Sequence, residues 1–588
     1  MTVASASASA SASAIAHVAS SLCRCSWLRG ASEDPCGWAS IACSPGGEVT
    51  GVTLPGLNLH GRLSAAVCAL PHLAVLNVSN NALTGPVPPG LAACAALEVL
   101  DLSTNALHGA VPPGLCALRA LRRLFLSNNL LVGGIPPAIG NLTALEELEI
   151  YSNNLTGKIP TSIRALQRLR VIRAGFNDLS GPIPVELTEC TSLEFLGFAH
   201  NNLTGEVPRE LSRLKNLTTL FLWQNGLSGE VPPELGNCTS LQTLALNDNA
   251  FTGGVPRELA ELPSLLKLYI FGNQLDGTIP PELGNLQSVL EINLAHNNLT
   301  GEVPRELSRL KNLTTLFLWQ NGLSGEVPPE LGNCTSLQEI DLSENKLTGI
   351  IPGELGRIPT LQLLNLYNNR LQGSIPPELG QLSTIREIDL STNNLTGTIP
   401  AAFQNLSGLE DLQLFDNQLH GDIPPLLGAN SSNLSFLDLS DNQLTGSIPP
   451  YLCKYQKLTI LSLGLNSLVG EIPPGVKACR TLTQLRKRCA SGQQQIHEFI
   501  CVLECVLERT RLIVELSMLQ NLSSLEMHQN RFSGRIPPEI GKFRSTERLI
   551  PSNNYLVGHI PAAIGNLTRL VTFNVSSNQQ LTGPIPGG

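Results

Sequence analysis

AHNNLTGEVPRELSRLKNLTTLFLWQNGLSGEVPPELGNCTSLQ occupies residues 199–242 and returns, letter for letter, at residues 295–338. The two copies lie 96 positions apart. Inside the run, LTGEVP returns as LSGEVP after 24 residues, and 96 is four times 24. Self-similarity at a fixed period marks a repeat architecture. The glycine of an L-x-G-x-[IV]-P motif falls at Gly85, Gly109, Gly133 and every 24 residues from there to Gly421. Gly61 opens the series in a weaker form, and Gly446, Gly470, Gly534, Gly558 and Gly583 continue it with slips, giving 21 recognisable turns. The duplication therefore inserted whole turns and kept the register. A solenoid tolerates this because each repeat touches only its neighbours.

One turn reads L-x-x-L-x-L-x-x-N-x-L-x-G-x-I-P-x-x-L-G-x-L-x-x. In LEVLDLSTNALHG (residues 97–109), the alternation predicts a strand with Leu100 and Leu102 inward and Asp101 and Ser103 outward. The amide of Asn105 is suited to bond backbone groups of adjacent turns, a structural duty rather than a catalytic one. The glycine allows a sharp turn, and the following I-P-P-E-L-G starts a short helical segment with proline near its first position. The chain is thus expected to be one elongated α/β repeat solenoid of about 21–22 repeats of 24 residues, with its strands stacked in a parallel sheet.

Net charge is −9, so the basic face that nucleic-acid binding needs is not expected. No stretch reaches the ~18 consecutive apolar residues of a membrane span. Residues 1–22 are a low-complexity Ala/Ser leader without Lys or Arg before Arg24, and make a poor secretory signal. Residues 23–50 read as an N-terminal cysteine cap, 51–486 as solenoid, and 516–588 as a further solenoid stretch without a C-terminal cap. Residues 487–515 break the period, and IHEFICVLECVLE there puts Ile496, Phe499, Ile500 and Leu503 on one helical face.

Cys94, Cys190, Cys238, Cys334 and Cys479 all sit nine residues after a motif glycine, where other turns place Leu142 and Leu166, and are expected to be small buried hydrophobes. Cys36 and Cys43, in DPCGWASIAC just before the first repeat, are expected to form a cap disulfide if the chain is secreted. Zinc binding by Cys23, Cys25, Cys36 and Cys43 is the other reading, although the C-x-C start lacks the usual spacing. No phosphate-binding loop, kinase motif or nucleophile elbow occurs, HEFIC is not H-E-x-x-H, and the carboxylates are scattered by the repeat. The chain is therefore expected to be a binding protein, with no enzyme activity and no cofactor.

The G-x-I-P form of the 24-residue repeat, with the cap DPCGWASIAC, resembles the extracellular domain of plant leucine-rich-repeat receptor-like serine/threonine kinases over residues 27–486 and 516–588. RVIRAGFNDLSG (residues 170–181) and LFLWQNGLSGEVP look like the subfamily that perceives secreted peptides. The resemblance implies a leucine-rich-repeat superhelix with a concave parallel sheet. It also implies a peptide or protein ligand, a short leucine-rich-repeat co-receptor kinase as a second partner, and a place at the cell surface. In related receptors an R-x-G-G strand contacts the ligand; here the stretch is Arg173-Ala174-Gly175-Phe176, whose last position departs. The family continues into a membrane helix and a kinase, whereas this sequence stops at LTGPIPGG, and most of the helical first half of the N-cap is missing. The 487–515 break reads as an island of the kind some receptors of this class carry, or as misjoined sequence. A secreted inhibitor of microbial wall-degrading enzymes and a nonfunctional receptor-gene fragment are the alternative readings of function.

Outward strand positions in most turns are small or polar, as at Ser79, Ser103 and Ser391, but become Phe125, Tyr151, Phe176, Phe221, Trp223, Tyr269 and Phe271 in one window. With Arg173, these eight residues are the candidate ligand-binding set; clustered exposed aromatics mark binding patches. The duplication supplies Phe317 and Trp319 without an equivalent of Arg173. Sixteen N-x-[ST] sequons fit a secreted protein, although N-N-L-T-G is also the repeat consensus. They are Asn77, Asn141, Asn154, Asn202, Asn216, Asn237, Asn298, Asn312, Asn333, Asn394, Asn405, Asn430, Asn433, Asn521, Asn566 and Asn574. Asn77 and Asn574 point outward from strands near the ends. Pro551 stands where the repeat demands an inward apolar residue, so residues 516–588 are expected to open more readily than the centre.

Overall fold

The computed structural model describes residues 35–469, 473–486, 522–526, 533–552 and 555–586. The leader, Cys23, Cys25 and the 487–515 segment with its predicted helical face lie outside the described residues. The chain divides into two compact units, Met1–Asn298 and Leu299–Gly588.

In the first unit every turn contributes one three-residue strand to a parallel sheet. Val75–Asn77, Val99–Asp101, Arg123–Phe125 and Glu147–Glu149 pair one to one. Their middle residues Leu76, Leu100, Leu124 and Leu148 are 0–2% exposed. Their flanking residues therefore take the opposite face, as strand alternation requires. The cap strand Ile41–Cys43 runs antiparallel to Val49–Thr53 and closes the sheet edge. A second sheet of nine strands runs from His60–Arg62 to Ala250–Thr252. The second unit repeats the main sheet from Thr315–Phe317 to Thr572–Phe573. There the second sheet is cut into separate small ones, such as Gln372–Ser374 with Asn394–Thr396.

Most of the described turns return through a short 3-10 helix, for example Pro89–Ala93, with Pro88 at the N-cap. The P-x-E-L-G segments satisfy few orphan donors, and proline has none to satisfy. Among the described residues a single α-helical turn occurs, at Pro474–Lys477. The motif glycines from Gly85 to Gly421 all have φ between 71° and 86°, a region closed to most side chains. The asparagines form the expected column. The Asn105 carbonyl accepts the Leu83 N–H at 2.9 Å. Its amide nitrogen donates to the carbonyls of Val78, Leu102 and Ser103 at 3.1, 3.2 and 3.2 Å. The same pattern recurs at Asn201, Asn345 and Asn466.

Cys36 and Cys43 are disulfide-bonded, so they are not zinc ligands here. The cysteine slots need a correction. Cys94 and Cys479 are not lone thiols: they are bonded to Cys68 and Cys453, each 26 residues earlier. The slot nine residues after one glycine lies beside the slot seven residues after the previous glycine, and both hold cysteine in these two pairs. Cys190, Cys238 and Cys334 face Arg164, Ser212 and Ser308 in that register and stay as buried thiols, as does Cys116. Burial pushes the Cys190 thiol up to about 12, and those of Cys238 and Cys334 up to about 11.

Two outcomes follow. Peptide mapping without reduction should recover the 36–43, 68–94 and 453–479 crosslinks. At pH 8 Cys190, Cys238 and Cys334 should resist iodoacetamide until the chain is denatured, because the thiolate is the reactive form; rapid alkylation of the folded protein would contradict their burial. Pro551 is buried and its carbonyl accepts from the Asn578 amide at 2.9 Å, but it has no N–H. At the equivalent place the Ile150 N–H donates to the Arg173 carbonyl at 2.8 Å. Amides of Arg548–Ile550 should therefore exchange with solvent faster than those of Phe195–Gly197. Equal protection would show that the missing donor has no effect.

Candidate ligand-binding face

On the solvent face of the first unit's sheet, Phe125, Glu149, Arg173, Gly197, Phe221, Ala245 and Tyr269 stand side by side on successive strands. Gly197 leaves a gap in this row between Arg173 and Phe221. The ring of Phe195, two residues earlier on the same strand, folds into it. A Cβ on Gly197 would come 2.8 Å from that ring. The Arg173 guanidinium lies 3.9 Å from the centre of the Phe195 ring. Phe195 meets Phe221 edge to face, 5.4 Å between centres at 82°. Arg173, Phe195 and Phe221 thus form one stacked group across three strands.

A second group stands where the chain leaves the same strands. Phe176 and His200 both have φ of 54°. Phe176 lies 4.9 Å from the His200 ring and 5.5 Å from the Trp223 ring, edge to face at 77°. Phe176 is 47% exposed, a large apolar ring presented to solvent. Beside it opens a polar depression of about 520 Å³, lined by Asn177, Asp178, His200, Asn202, Thr204 and Gln224 among others.

Four of the eight candidate residues, Arg173, Phe176, Phe221 and Trp223, are therefore brought together, with Phe195 and His200 added. The other four stand apart. Phe125 and Phe271 make no ring contact with either group. The Tyr151 hydroxyl lies 3.5 Å from the Asn128 amide. The Tyr269 hydroxyl donates to the Glu291 carboxylate, and burial together with that bond pushes the phenol well up. Phe195 was legible in principle, since alternation around the inward Leu196 also puts the third residue of LEFLGF outward. What selects it is the missing side chain at Gly197.

Charges on this face are balanced across strands. Arg173 pairs with Glu149 at 3.3 Å, Arg123 with Glu147 at 3.2 Å, and Lys267 with Glu291 at 2.8 Å. At the strand edge, Arg122 makes a two-pronged bond to Glu146 and Arg170 one to Glu194. Those forks hold the Glu146 and Glu194 carboxyls below the usual range. Glu149 behaves differently: burial raises its carboxyl, and Arg173 only partly offsets this. An incoming carboxylate must therefore compete with Glu149 for Arg173. In a double-mutant cycle, Phe195→Ala and Phe221→Ala should couple by about 0.5–1.5 kcal/mol in urea denaturation. Gly197→Ala should abolish that coupling by displacing the Phe195 ring. Strict additivity in the Gly197 protein's parent would dissolve the stacked group.

Leucine-rich-repeat family models match residues 71–131, 326–371 and 383–444 in one form. A second form matches seven single repeats, from 144–166 to 521–543. A leucine-rich repeat receptor-like serine/threonine-protein kinase of Arabidopsis thaliana is 47% identical over 69 residues, 12% of this chain and 6% of that protein. The related kinase SKM1 of the same plant is 39% identical over 64 residues, 11% of this chain and 7% of its own length. The aligned stretches thus cover less than a tenth of these relatives. Among solved structures, the Arabidopsis receptor kinase HAESA, in complex with the peptide hormone IDA and the co-receptor SERK1, matches at a TM-score of 0.83 and 31% identity. The match covers 98% of this chain and 95% of that one. The plant peptide hormone receptor RGFR1, in complex with RGF2, matches at 0.79 and 32% identity, over 93% and 96% of the two chains. The chain belongs to the leucine-rich-repeat family, among the ectodomains of plant receptor-like kinases.

Proposed function

We propose that this chain is the ligand-sensing ectodomain of a receptor-like kinase, placed at the cell surface, and that it takes up an extended peptide across the strands from Phe125 to Phe271. The observation that carries this reading is the pair of stacked groups, Arg173–Phe195–Phe221 and Phe176–His200–Trp223, on the open face of one sheet. Large rings and an arginine left at a surface are what hot spots are made of. Six strand spacings span about 29 Å, the reach of about nine extended residues. The bound peptide hormones of the HAESA and RGFR1 complexes support the class of ligand, and the SERK1 of the former supports a co-receptor kinase as second partner. The exposed sequons Asn141 and Asn154, on a return segment and at the start of a second-sheet strand, are proposed to carry glycans that leave this face open.

The duplicate copy around Phe317 and Trp319 keeps the histidine, at His296, but has other residues in place of three members of the two groups. Ninety-six residues after Arg173, Phe176 and Phe195 the sequence has Tyr269, Gly272 and Glu291. Asp341 stands next to Phe317, where Ala245 stands next to Phe221. The test is binding of a pool of nine-residue secreted peptides to wild type, Arg173→Ala, Trp223→Ala and Trp319→Ala. Arg173→Ala and Trp223→Ala should each weaken binding roughly 30-fold or more, the 2 kcal/mol expected of a hot spot, and Trp319→Ala should change little. If Trp319→Ala costs as much as Trp223→Ala while Arg173→Ala costs nothing, the site lies elsewhere.

A further inference from the structure

The second unit carries a strip of a different kind. Strands Glu339–Asp341, Leu363–Asn365, Glu387–Asp389, Asp411–Gln413, Phe436–Asp438 and Ile460–Ser462 pair one to one. Their middle residues, Ile340 to Leu461, are 0–1% exposed and fill the core. The flanking residues share the other face: Glu387 and Asp411 are neighbours on adjoining strands about 4.8 Å apart, and Asp341, Asp389 and Asp438 take every second strand of the next row, with Asn365 and Gln413 between them and Glu339 at the near end. Ser343, Ser391 and Ser440 hold Asp341, Asp389 and Asp438 in place, each through its hydroxyl and its N–H.

At these positions in the first unit, Glu147, Glu149 and Glu291 each have a cation on a neighbouring strand. In the strip, Asp341, Glu387, Asp389 and Asp411 have no ion-pair partner among the described residues. Arg386 stands exposed at its edge, and Glu410 beside it adds a further negative charge. Burial, then the neighbouring carboxylates, pushes Asp411 up to about 7; burial pushes Asp389 up to about 6. Glu387 and Asp341 are raised by burial as well.

An independent observation points the same way. Among the described residues three buried side-chain polar atoms lack a hydrogen-bond partner, and two of them belong to this strip: Asp411 Oδ1 and Ser462 Oγ. Ser462 is 1% exposed and lies in register with Asp438, its side chain on the strip's face. Buried acceptors without donors are rare and ask for a reason.

We infer that this strip receives the guanidinium groups of an arginine-bearing polypeptide segment, which supplies the donors that Asp411 Oδ1 and Ser462 Oγ lack and the positive charge that Asp341, Glu387, Asp389 and Asp411 lack. Guanidinium is planar, carries five donors and is weakly hydrated, so it suits a half-buried row of carboxylates better than an ammonium does. A metal ion does not fit: among the described residues no three His, Cys, Asp or Glu side chains converge on one point. The acceptors are strung across strands instead. An extended segment repeats its side chains on one face about every 6.6–6.8 Å, close enough for long arginines to reach successive carboxylates. The proposal does not depend on the peptide reading of the first unit.

The experiment is calorimetric titration with the synthetic peptide Arg-Ser-Arg-Ser-Arg-Ser, on wild type, the Asp389→Asn/Asp411→Asn double variant, and a Glu282→Gln/Glu378→Gln control that removes the same charge from exposed sites. Wild type and control should bind equally. The Asp389→Asn/Asp411→Asn variant should bind at least tenfold more weakly, yet melt at a higher temperature at pH 7.5, since two uncompensated charges are gone. A merely structural role would lower its melting temperature instead. Binding to wild type should weaken from pH 7.5 to pH 5 as Asp411 and Asp389 take up protons. Absence of binding by wild type, or equal loss in the control, would overturn the proposal. So would spermine that binds as tightly as the peptide, because the strip would then be a polyamine site.

Discussion

The hydrogen bonds of one asparagine per turn hold this molecule in step. Each carboxamide ties its own bend to the turn before it, accepting a backbone N–H and donating to three carbonyls around the bend, one of which, Ala199 at Asn201, also takes a backbone N–H from the neighbouring turn. A bend of this sort buries backbone polar groups, and leaving one unpaired costs about 1–3 kcal/mol. The column removes that cost where each asparagine meets the same groups of the turn before it, as Asn442 still does across the longer turn between Gly421 and Gly446. Register between turns, rather than one exact turn length, is thus the physical requirement, and it explains why a duplication of four whole turns could be absorbed while the surface it created was new.

Strict register turns the open face of each sheet into rows. A residue's role there depends on what stands in the same row one strand away. Arg173 is held between Glu149 on one side and Phe195 on the other. Phe195 can reach it because Gly197 has no side chain. Phe221 and Phe317 have the same sequence neighbours, but Ala245 flanks the first and Asp341 the second. The charge balance differs in the same manner: carboxylates on this face have cations beside them in the first unit, whereas in the second Glu387 and Asp411 are neighbours and Asp341, Asp389 and Asp438 alternate with Asn365 and Gln413. Stability and recognition pull in opposite directions in such rows, since an unbalanced row destabilises the free protein and is relieved by a partner.

Much of this was legible in the sequence because the repeat is written in local spacing. The strand phase of Leu100 and Asp101, the left-handed glycines, the asparagine column and the cap disulfide all depend on residues within one turn or its neighbour. The features that escaped depend on lateral register. The Cys68–Cys94 and Cys453–Cys479 bonds join slots seven and nine residues past successive glycines, an offset that the 24-residue motif does not announce. Phe195 becomes part of the candidate site through an absence two residues away. The carboxylates of EID, EID, DLQ and FLD look scattered along the chain, and only strand pairing gathers them. Tyr269 was outward as expected, but its hydroxyl is committed to Glu291.

The central claim is that the asparagine column, rather than core burial alone, keeps these rows in register. Amide hydrogen exchange of an Asn201→Ala protein tests it most directly. The substitution removes the acceptor for the Leu179 N–H and the donor to the carbonyls of Ala174, Phe198 and Ala199. The account predicts a local loss of protection in the strands Val171–Arg173, Phe195–Gly197 and Thr219–Phe221, with Val75–Asn77 and Val99–Asp101 unchanged. Protection that stays at the wild-type level throughout, or falls uniformly along the unit, would contradict it.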